Sequence, residues 1–456
     1  MLRAALLTSV FLLSTPAMAA PPNIIVIMTD DQTDDLTNMP QVSARLAKGT
    51  RFTNSFVDFS LCSPSRATFM SGQRALNHGV GEKGDVNDHQ ATFVRKGTLP
   101  MWLREVGYTT ALIGVKAMSG QGEGPAKLGF DHFAVIDNHE TNRYFDPTMN
   151  VNGVLEPRIG EYSTDVFADE AIDFIRAKPK PYFLYIATAA PHAPALPALR
   201  HKGLCGTVAL PRPPSFNETN LRDKPTFIAS LPRYDVIKEA KLEKTFRKRC
   251  ETLLSVDEMA AELIDRAGKY NCVFLTSDNG FVHGQHRFTG KLLAAYEESI
   301  RVPLVMWGCG APAGAQIDAL VGNVDLPATI LDLAGAVSGR RADGRSLLPL
   351  LAGAPWRTAL PISGAWGWQN GGAGETGTSH CVRTRRWIYC AHSNGERELY
   401  DLAKDPYQLR NRASTPARAS VVAALDALST TLRDCAGARC WFDGDPIAGP
   451  APPGRP

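Results

Sequence analysis

The segment Asn23–Met28 is an unbroken apolar run rich in Ile and Val, the pattern of a strand covered on both faces. Runs of the same kind recur at Tyr108–Val115, Tyr182–Thr188, Cys272–Thr276 and Val302–Trp307. Between them lie stretches with helical spacing of apolar positions: Gly97–Val106, Thr164–Ala177, Lys241–Arg266 and Asp325–Ala334. Strands that alternate with helices predict an α/β fold, a mostly parallel sheet with helices on both faces. In such sheets ligands sit beyond the carboxyl ends of the strands, so residues that follow each apolar run carry the most interest. After Asp343–Leu348 the pattern changes. A Gly- and Trp-rich stretch, Gly364–Gly377, leads into shorter strand-like segments at Cys381–His392 and Glu398–Asp401, then a helical stretch at Ala417–Arg433. This predicts a catalytic unit over 20–355, a smaller antiparallel subdomain over 356–442 and a loose Pro/Gly-rich tail over 443–456. No internal repeat is evident.

Residues 1–19 have the layout of a signal peptide: Arg3, the apolar run Ala4–Leu13 and the small-x-small site Ala17-Met18-Ala19,. Export to a periplasmic, secreted or lysosomal compartment is the expectation, with no membrane span, since no later stretch is long and apolar enough to cross a bilayer. The 49 Lys+Arg against 46 Asp+Glu leave a net charge of +3, too small a basic excess for a nucleic-acid partner. Nine cysteines in an exported chain suit disulfides with one thiol left over. Cys205 with Cys250, Cys381 with Cys390 and Cys435 with Cys440 are plausible pairs, while Cys272 and Cys309 fit either a pair or two buried thiols,. Setting Cys62 aside, eight cysteines allow roughly 105 connectivities.

The first apolar run ends in Thr29-Asp30-Asp31. Adjacent carboxylates at the mouth of a buried strand repel unless a cation compensates them; the alternative is an acidic, solvated turn. A calcium-binding helix-loop-helix does not fit, because its Gly and terminal Glu are missing. The run Cys272–Thr276 ends likewise in Ser277-Asp278-Asn279-Gly280, which by itself is an ordinary turn sequence. If the two strands are neighbours, Asp30, Asp31, Asp278 and Asn279 offer hard oxygen ligands only. That set suits Ca²⁺, or less well Mg²⁺, and not zinc.

Leu61-Cys62-Ser63-Pro64-Ser65-Arg66 resembles the signature of the sulfatase family, and the match runs from Ser60 to Gly72. In that family the cysteine is oxidised by a dedicated maturation enzyme to formylglycine, whose hydrate attacks with one oxygen and uses the other to expel sulfate. Gly107–Gly114 followed by Lys116 resembles the second signature, although Val115 separates the Gly and Lys that usually adjoin and Met118 stands where many members carry His. Pro191-His192-Ala193-Pro194, Gly290-Lys291, Glu297–Leu304, and Glu398–Leu402 with Asp405-Pro406 also follow the family pattern. Several of these runs, with Asn77–Val80, are most similar to the glucosamine-sulfatase branch, which removes sulfate from amino sugars of glycosaminoglycans.

The resemblance implies an alkaline-phosphatase-like fold and hydrolysis of a sulfated carbohydrate. It further implies that Asp30, Asp31, Cys62, Asp278 and Asn279 hold the cation, Arg66 steadies the modified Cys62, Lys116 and Lys291 neutralise the sulfuryl group, and His192 protonates the leaving alcohol. The alternatives are a phosphonate or phosphate ester hydrolase of the same superfamily, or an inactive sulfated-glycan-binding protein. His283 and His286, spaced i and i+3, suit either metal binding or a structural or substrate-side role and are not assigned to the metal. The Trp366–Asn370 stretch is expected either to line the mouth of a sugar pocket or to anchor its loop on the core.

Overall fold

The computed structural model describes residues 20–81, 93, 96–115, 124–137, 144–177, 181–268, 271–291, 295–366, 377–445 and 447. Its strands, in chain order, are β1 (Ile24–Thr29), β2 (Gly49–Phe52), β3 (Ser55–Phe56), β4 (Thr109–Gly114), β5 (His132–Ile136), β6 (Thr148–Val151), β7 (Val154–Pro157), β8 (Tyr182–Ala187) and β9 (Cys272–Ser277). There follow β10 (Val282–His283), β11 (Thr289–Gly290), β12 (Leu304–Trp307), β13 (Gln316–Ile317), β14 (Val321–Gly322), β15 (Ala359–Trp366), β16 (Gly377–Thr384), β17 (Trp387–His392) and β18 (Arg397–Asp401). Ten of them form one sheet in the order β13-β2-β12-β9-β1-β8-β4-β5-β6-β7. The central strands β9, β1, β8, β4 and β5 are mutually parallel. Towards the edges β12 pairs antiparallel with β9 and β2, and the β5-β6-β7 meander is antiparallel.

Every residue of β1, β8 and β9 is buried, as continuous Ile/Val/Phe runs require when both faces are covered. The principal helices are α1 (Cys62–Ser71), α2 (Leu99–Glu105), α3 (Ser163–Ala177), α4 (Val236–Ala267), α5 (Asp325–Ala334) and α6 (Ala419–Arg433). Helix α4 begins five residues before the stretch predicted at Lys241, because the Asp235 side chain caps it by accepting from the Lys238 amide at 2.7 Å,.

The second sheet, β15-β16-β17-β18, is antiparallel throughout. One face packs on α6 through Val382, Trp387, Tyr389 and Leu399 against Leu425, Leu428 and Leu432. The other lies on the large unit, where Ile362, Ile388 and Tyr400 join Phe56, Ile300 and Val302. Period-2 alternation thus serves two cores at once. Disulfides join Cys205–Cys250, Cys272–Cys309, Cys381–Cys390 and Cys435–Cys440. Cys62 is the free thiol. Among the described residues no helix is long and apolar enough to cross a membrane.

Candidate active site and metal centre

β1 and β9 are parallel neighbours in register, with Thr29 opposite Ser277. Each therefore delivers the next residues of its chain to the same carboxyl edge. In an extended strand successive side chains point to opposite faces. At Asp31, φ of +73° breaks that alternation and lets Asp30 and Asp31 converge. Their carboxylates, that of Asp278 and the Cys62 Sγ each offer a ligand atom within 4.8 Å of the others.

Cys62 is the first residue of α1, where unpaired amides and the helix dipole favour negative charge. Its thiol donates to Asp30 Oδ1 at 3.3 Å. Arg66, one turn further on and on the same face, is buried and bridges the two strand ends. Its Nε donates to Asp278 Oδ2 at 2.8 Å and an Nη to Asp30 Oδ2 at 3.0 Å. Lys291 follows the short β10–β11 hairpin and donates to Cys62 Sγ. It lies 3.0 Å from Asp31 and 3.6 Å from Asp30.

The electrostatics reflect three buried carboxylates facing two cations. Burial raises Asp278, and Asp30 raises it further, so that its pKa is pushed up to about 6. Burial also pushes Asp30 up, but Lys291 and then Arg66 outweigh it and hold that carboxyl below its ordinary value. Burial and then Asp278 push the Cys62 thiol well up. Lys291 is penalised by burial yet is raised by Asp30, Cys62 and Asp31. The site favours positive charge, and it disfavours a bare thiolate as nucleophile.

A divalent cation fits these residues. Asn279 Oδ1 is buried without a hydrogen-bond partner, while its Nδ2 donates to Asp31 Oδ1 at 2.6 Å and to the Gly280 carbonyl at 2.8 Å. An orphaned buried oxygen is costly, and here it lies beside an acidic cluster that needs a counter-charge. The oxygen-rich donor set is that of a hard cation.

His192 follows β8, the strand on the other side of β1. Its Nε2 is 3.8 Å from Asp31 Oδ2, and its Nδ1 is 2.7 Å from the Ala193 carbonyl. With that carbonyl accepting from Nδ1–H, Nε2 is the ring nitrogen turned toward the carboxylate cluster. Tyr144 holds this loop, its hydroxyl donating to the carbonyls of His192 at 2.6 Å and Ala189 at 3.2 Å. Lys116 lies outside the described residues; the chain leading to it reaches the same edge, where the Val115 amide donates to the Ala187 carbonyl at 2.7 Å.

Thus Asp30, Asp31, Cys62, Arg66, Asp278, Asn279, His192 and Lys291 come from five separated stretches to one edge of the sheet. His283 does not join them: it is packed edge-on to Phe246 and beside Phe281. Nor does His286, whose Nδ1 is 2.7 Å from Glu218. Trp366 is 5% exposed and stacked on Phe227 with ring centroids 5.1 Å apart, as an anchor is. Trp368, Gln369 and Asn370 lie outside the described residues. Tyr144 and Arg249 escaped the sequence reading. Arg249 left a signal, a cation on the apolar face of α4, but Tyr144 left none.

The Sulfatase family profile matches residues 22–336, and the profile described as N-sulphoglucosamine sulphohydrolase, C-terminal, matches residues 284–434. The N-acetylglucosamine-6-sulfatase of Homo sapiens is 30% identical over 494 residues, covering 93% of this chain and 86% of the relative. A structure solved in complex with its substrate D-glucosamine-2-N,6-O-disulfate superposes with a TM-score of 0.76 at 24% identity, covering 91% of this chain and 98% of the other. The phosphonate monoester hydrolase of Agrobacterium radiobacter shares the fold, with a TM-score of 0.70 at 21% identity over 90% of this chain and 95% of the other.

Proposed function

The chain belongs to the sulfatase family and is a sulfuric ester hydrolase, and from that premise we propose that it removes sulfate from a sulfated glucosamine residue of a glycosaminoglycan-type carbohydrate. The observation that carries the reading is Cys62 at the N-terminus of α1, in contact with Lys291 and Asp30 and with its Sγ within 4.8 Å of an oxygen of each of three carboxylates. The names of the relatives supply the sugar: N-acetylglucosamine-6-sulfatase and a protein bound to a disulfated glucosamine.

In this reading Asp30, Asp31, Asp278, Asn279 and position 62 hold Ca²⁺ in preference to Mg²⁺, since the site is acidic and built almost wholly from protein oxygens. The bound cation supplies Lewis-acid polarisation of a sulfuryl oxygen, and Cys62 oxidised to formylglycine by a maturation enzyme supplies a hydrated aldehyde as nucleophile. Arg66 aligns Asp30 and Asp278 by bridging them, and its charge favours the ionised form of each. The Lys291 ammonium, joined by Lys116, stabilises negative charge on the transferring group. His192 Nε2 donates a proton to the departing sugar oxygen. Helix α1 directs its amide-rich end at the anion. Residues 1–19 are read as a leader removed on export, and 20–355 and 356–442 as the catalytic unit and its C-terminal subdomain.

The test is a preparation from a host that installs formylglycine. The Cys62 peptide is weighed by mass spectrometry, and sulfate release from N-acetylglucosamine 6-sulfate is compared with turnover of a matched phosphate ester and a phosphonate monoester. Mass loss at position 62 with preferred sulfate release supports the reading. Full activity of a preparation with unmodified Cys62 removes formylglycine from it. Faster turnover of the phosphorus esters instead assigns the phosphonate or phosphate hydrolase reading, which shares the fold.

A further inference from the structure

Helix α4 buries an apolar face in which Leu242, Phe246 and Arg249 fall at i, i+4 and i+7,. Two of the three are what such a stripe requires. Arg249 is not, and yet it is 4% exposed. A guanidinium is buried at a cost unless something compensates it. Among the described residues no carboxylate lies within ion-pair distance of Arg249. It donates a hydrogen bond to the main-chain oxygen of Asp31 at 2.5 Å and lies over the face of Phe281, with the guanidinium carbon 3.9 Å from the ring centroid.

Both contacts fall on chain segments that carry the acidic cluster. Asp31 is the residue whose left-handed backbone turns two consecutive carboxylates to the same side. Its amide donates to Asp278 Oδ1 at 3.1 Å, and its carbonyl accepts from Arg249, so the peptide groups on both sides of the turn are held. Phe281 is three residues beyond Asp278 in the other loop. One side chain therefore ties the loop after β1 to the loop after β9. The Cys205–Cys250 disulfide, at the next residue of α4, holds that part of the helix in place.

We propose that Arg249 is a positioning residue of the cation site: it fixes the left-handed turn at Asp31 and ties it to the Asp278–Phe281 loop, so that the oxygen ligands of both loops meet at one point. This rests on the reading of that cluster as a divalent-cation site. Residues that orient metal ligands change affinity by about 10–100-fold when removed, and Arg249 reaches Asp31 through its main chain.

The test is calorimetric titration of Ca²⁺ and, separately, Mg²⁺ into chelator-treated full-length protein, with circular dichroism and thermal unfolding of each variant. Arg249→Met should remain folded and bind Ca²⁺ about 10–100-fold more weakly, with a smaller Ca²⁺-induced rise in melting temperature. Arg249→Lys, which keeps the charge and one donor, should recover part of that loss. A folded Arg249→Met protein with Ca²⁺ affinity within a factor of about two of the parent overturns the proposal, because loss of a residue that orients metal ligands predicts far more. If Arg249→Met does not fold, Arg249→Lys decides: an affinity equal to the parent's overturns the proposal, since an ammonium does not reproduce both contacts of a guanidinium. Asp278→Ala separates this from failure of the metal reading. If the parent and Asp278→Ala both bind neither ion, the metal reading falls and takes the proposal with it; if the parent binds and Asp278→Ala does not, the Arg249 variants test the positioning role alone.

Discussion

Replacing Lys291 by Met should lower the rate while tightening the cation. The side chain is 16% exposed and sits 3.0 Å from Asp31 and 3.6 Å from Asp30. At an effective dielectric of about 20, the gross attraction to Asp31 alone is roughly 5 kcal/mol. Removing one partner of a buried pair typically costs about 3–5 kcal/mol, because the remaining charge stays buried. Metal-free Lys291→Met is therefore expected to lose stability in that range.

Ca²⁺ should reverse much of that loss. Without Lys291 the cluster keeps Asp30, Asp31 and Asp278 and, among the described residues, Arg66 as its permanently charged ion-pair partner, with His192 beside Asp31, so it is more negative and holds a divalent ion more firmly. The rate behaves otherwise. A preorganised charge on the transferring group contributes about 2.7–4 kcal/mol, which is about 10²–10³ in kcat. The assays are thermal unfolding with and without chelator, Ca²⁺ calorimetry, and kcat on a sulfated glucosamine at saturating Ca²⁺. A variant that loses rate and Ca²⁺ affinity together, and recovers its rate at high Ca²⁺, would refute the reasoning. Lys291 would then support the metal site and have no part in stabilising the sulfuryl group.

Three further outcomes are expected. His192→Ala should slow sulfated sugars, whose leaving alkoxide needs a proton, by about 10²–10⁴-fold while slowing activated aryl sulfates far less; equal losses on both would exclude leaving-group protonation. Asp278 has a folded pKa of about 6, pushed up by burial and then by Asp30, above its unfolded value. Its contribution to the stability of the metal-free protein is thus present below about pH 4 and lost as pH rises through about 6. Since a bound cation requires the ionised carboxylate, the rise in melting temperature caused by Ca²⁺ should be larger near pH 7.5 than near pH 5, and the reverse order would contradict the assignment. Trp366→Ala should destabilise the fold by about 3–5 kcal/mol, the usual cost of deleting a buried Trp, and affect sugar and aryl substrates alike; a rise in KM confined to the sugar would show that the ring contacts substrate.

The local chemistry of the chain was legible from its order of residues. Unbroken Ile/Val/Phe runs identify β1, β8 and β9, because only strands covered on both faces dispense with polar alternation. The carboxylates that end two of those runs, and the Cys62–Arg66 signature, mark the site before any contact is known. That Cys62–Ser71 is a helix, which places Arg66 on the face of Cys62, is shown by the structure and was not read from the sequence,. Other features were beyond a one-dimensional reading. That β12 runs antiparallel to β9 while β8 runs parallel to β1 follows from chain connections, and a short apolar run looks the same in either direction. The left-handed turn that brings Asp30 and Asp31 together is invisible in the letters Asp-Asp, which equally spell a solvated turn. Cys272 and Cys309 became a disulfide pair only when β9 and the segment after β12 were laid side by side. Tyr144 and Arg249 serve the site from remote segments through contacts to main-chain carbonyls. A carbonyl is common to every residue, so such contacts leave no mark on the sequence of the partner they hold. Sequence determines which groups are present and which neighbours share a face; the convergence of eight side chains from five stretches is decided by how the sheet brings its strand ends to one edge.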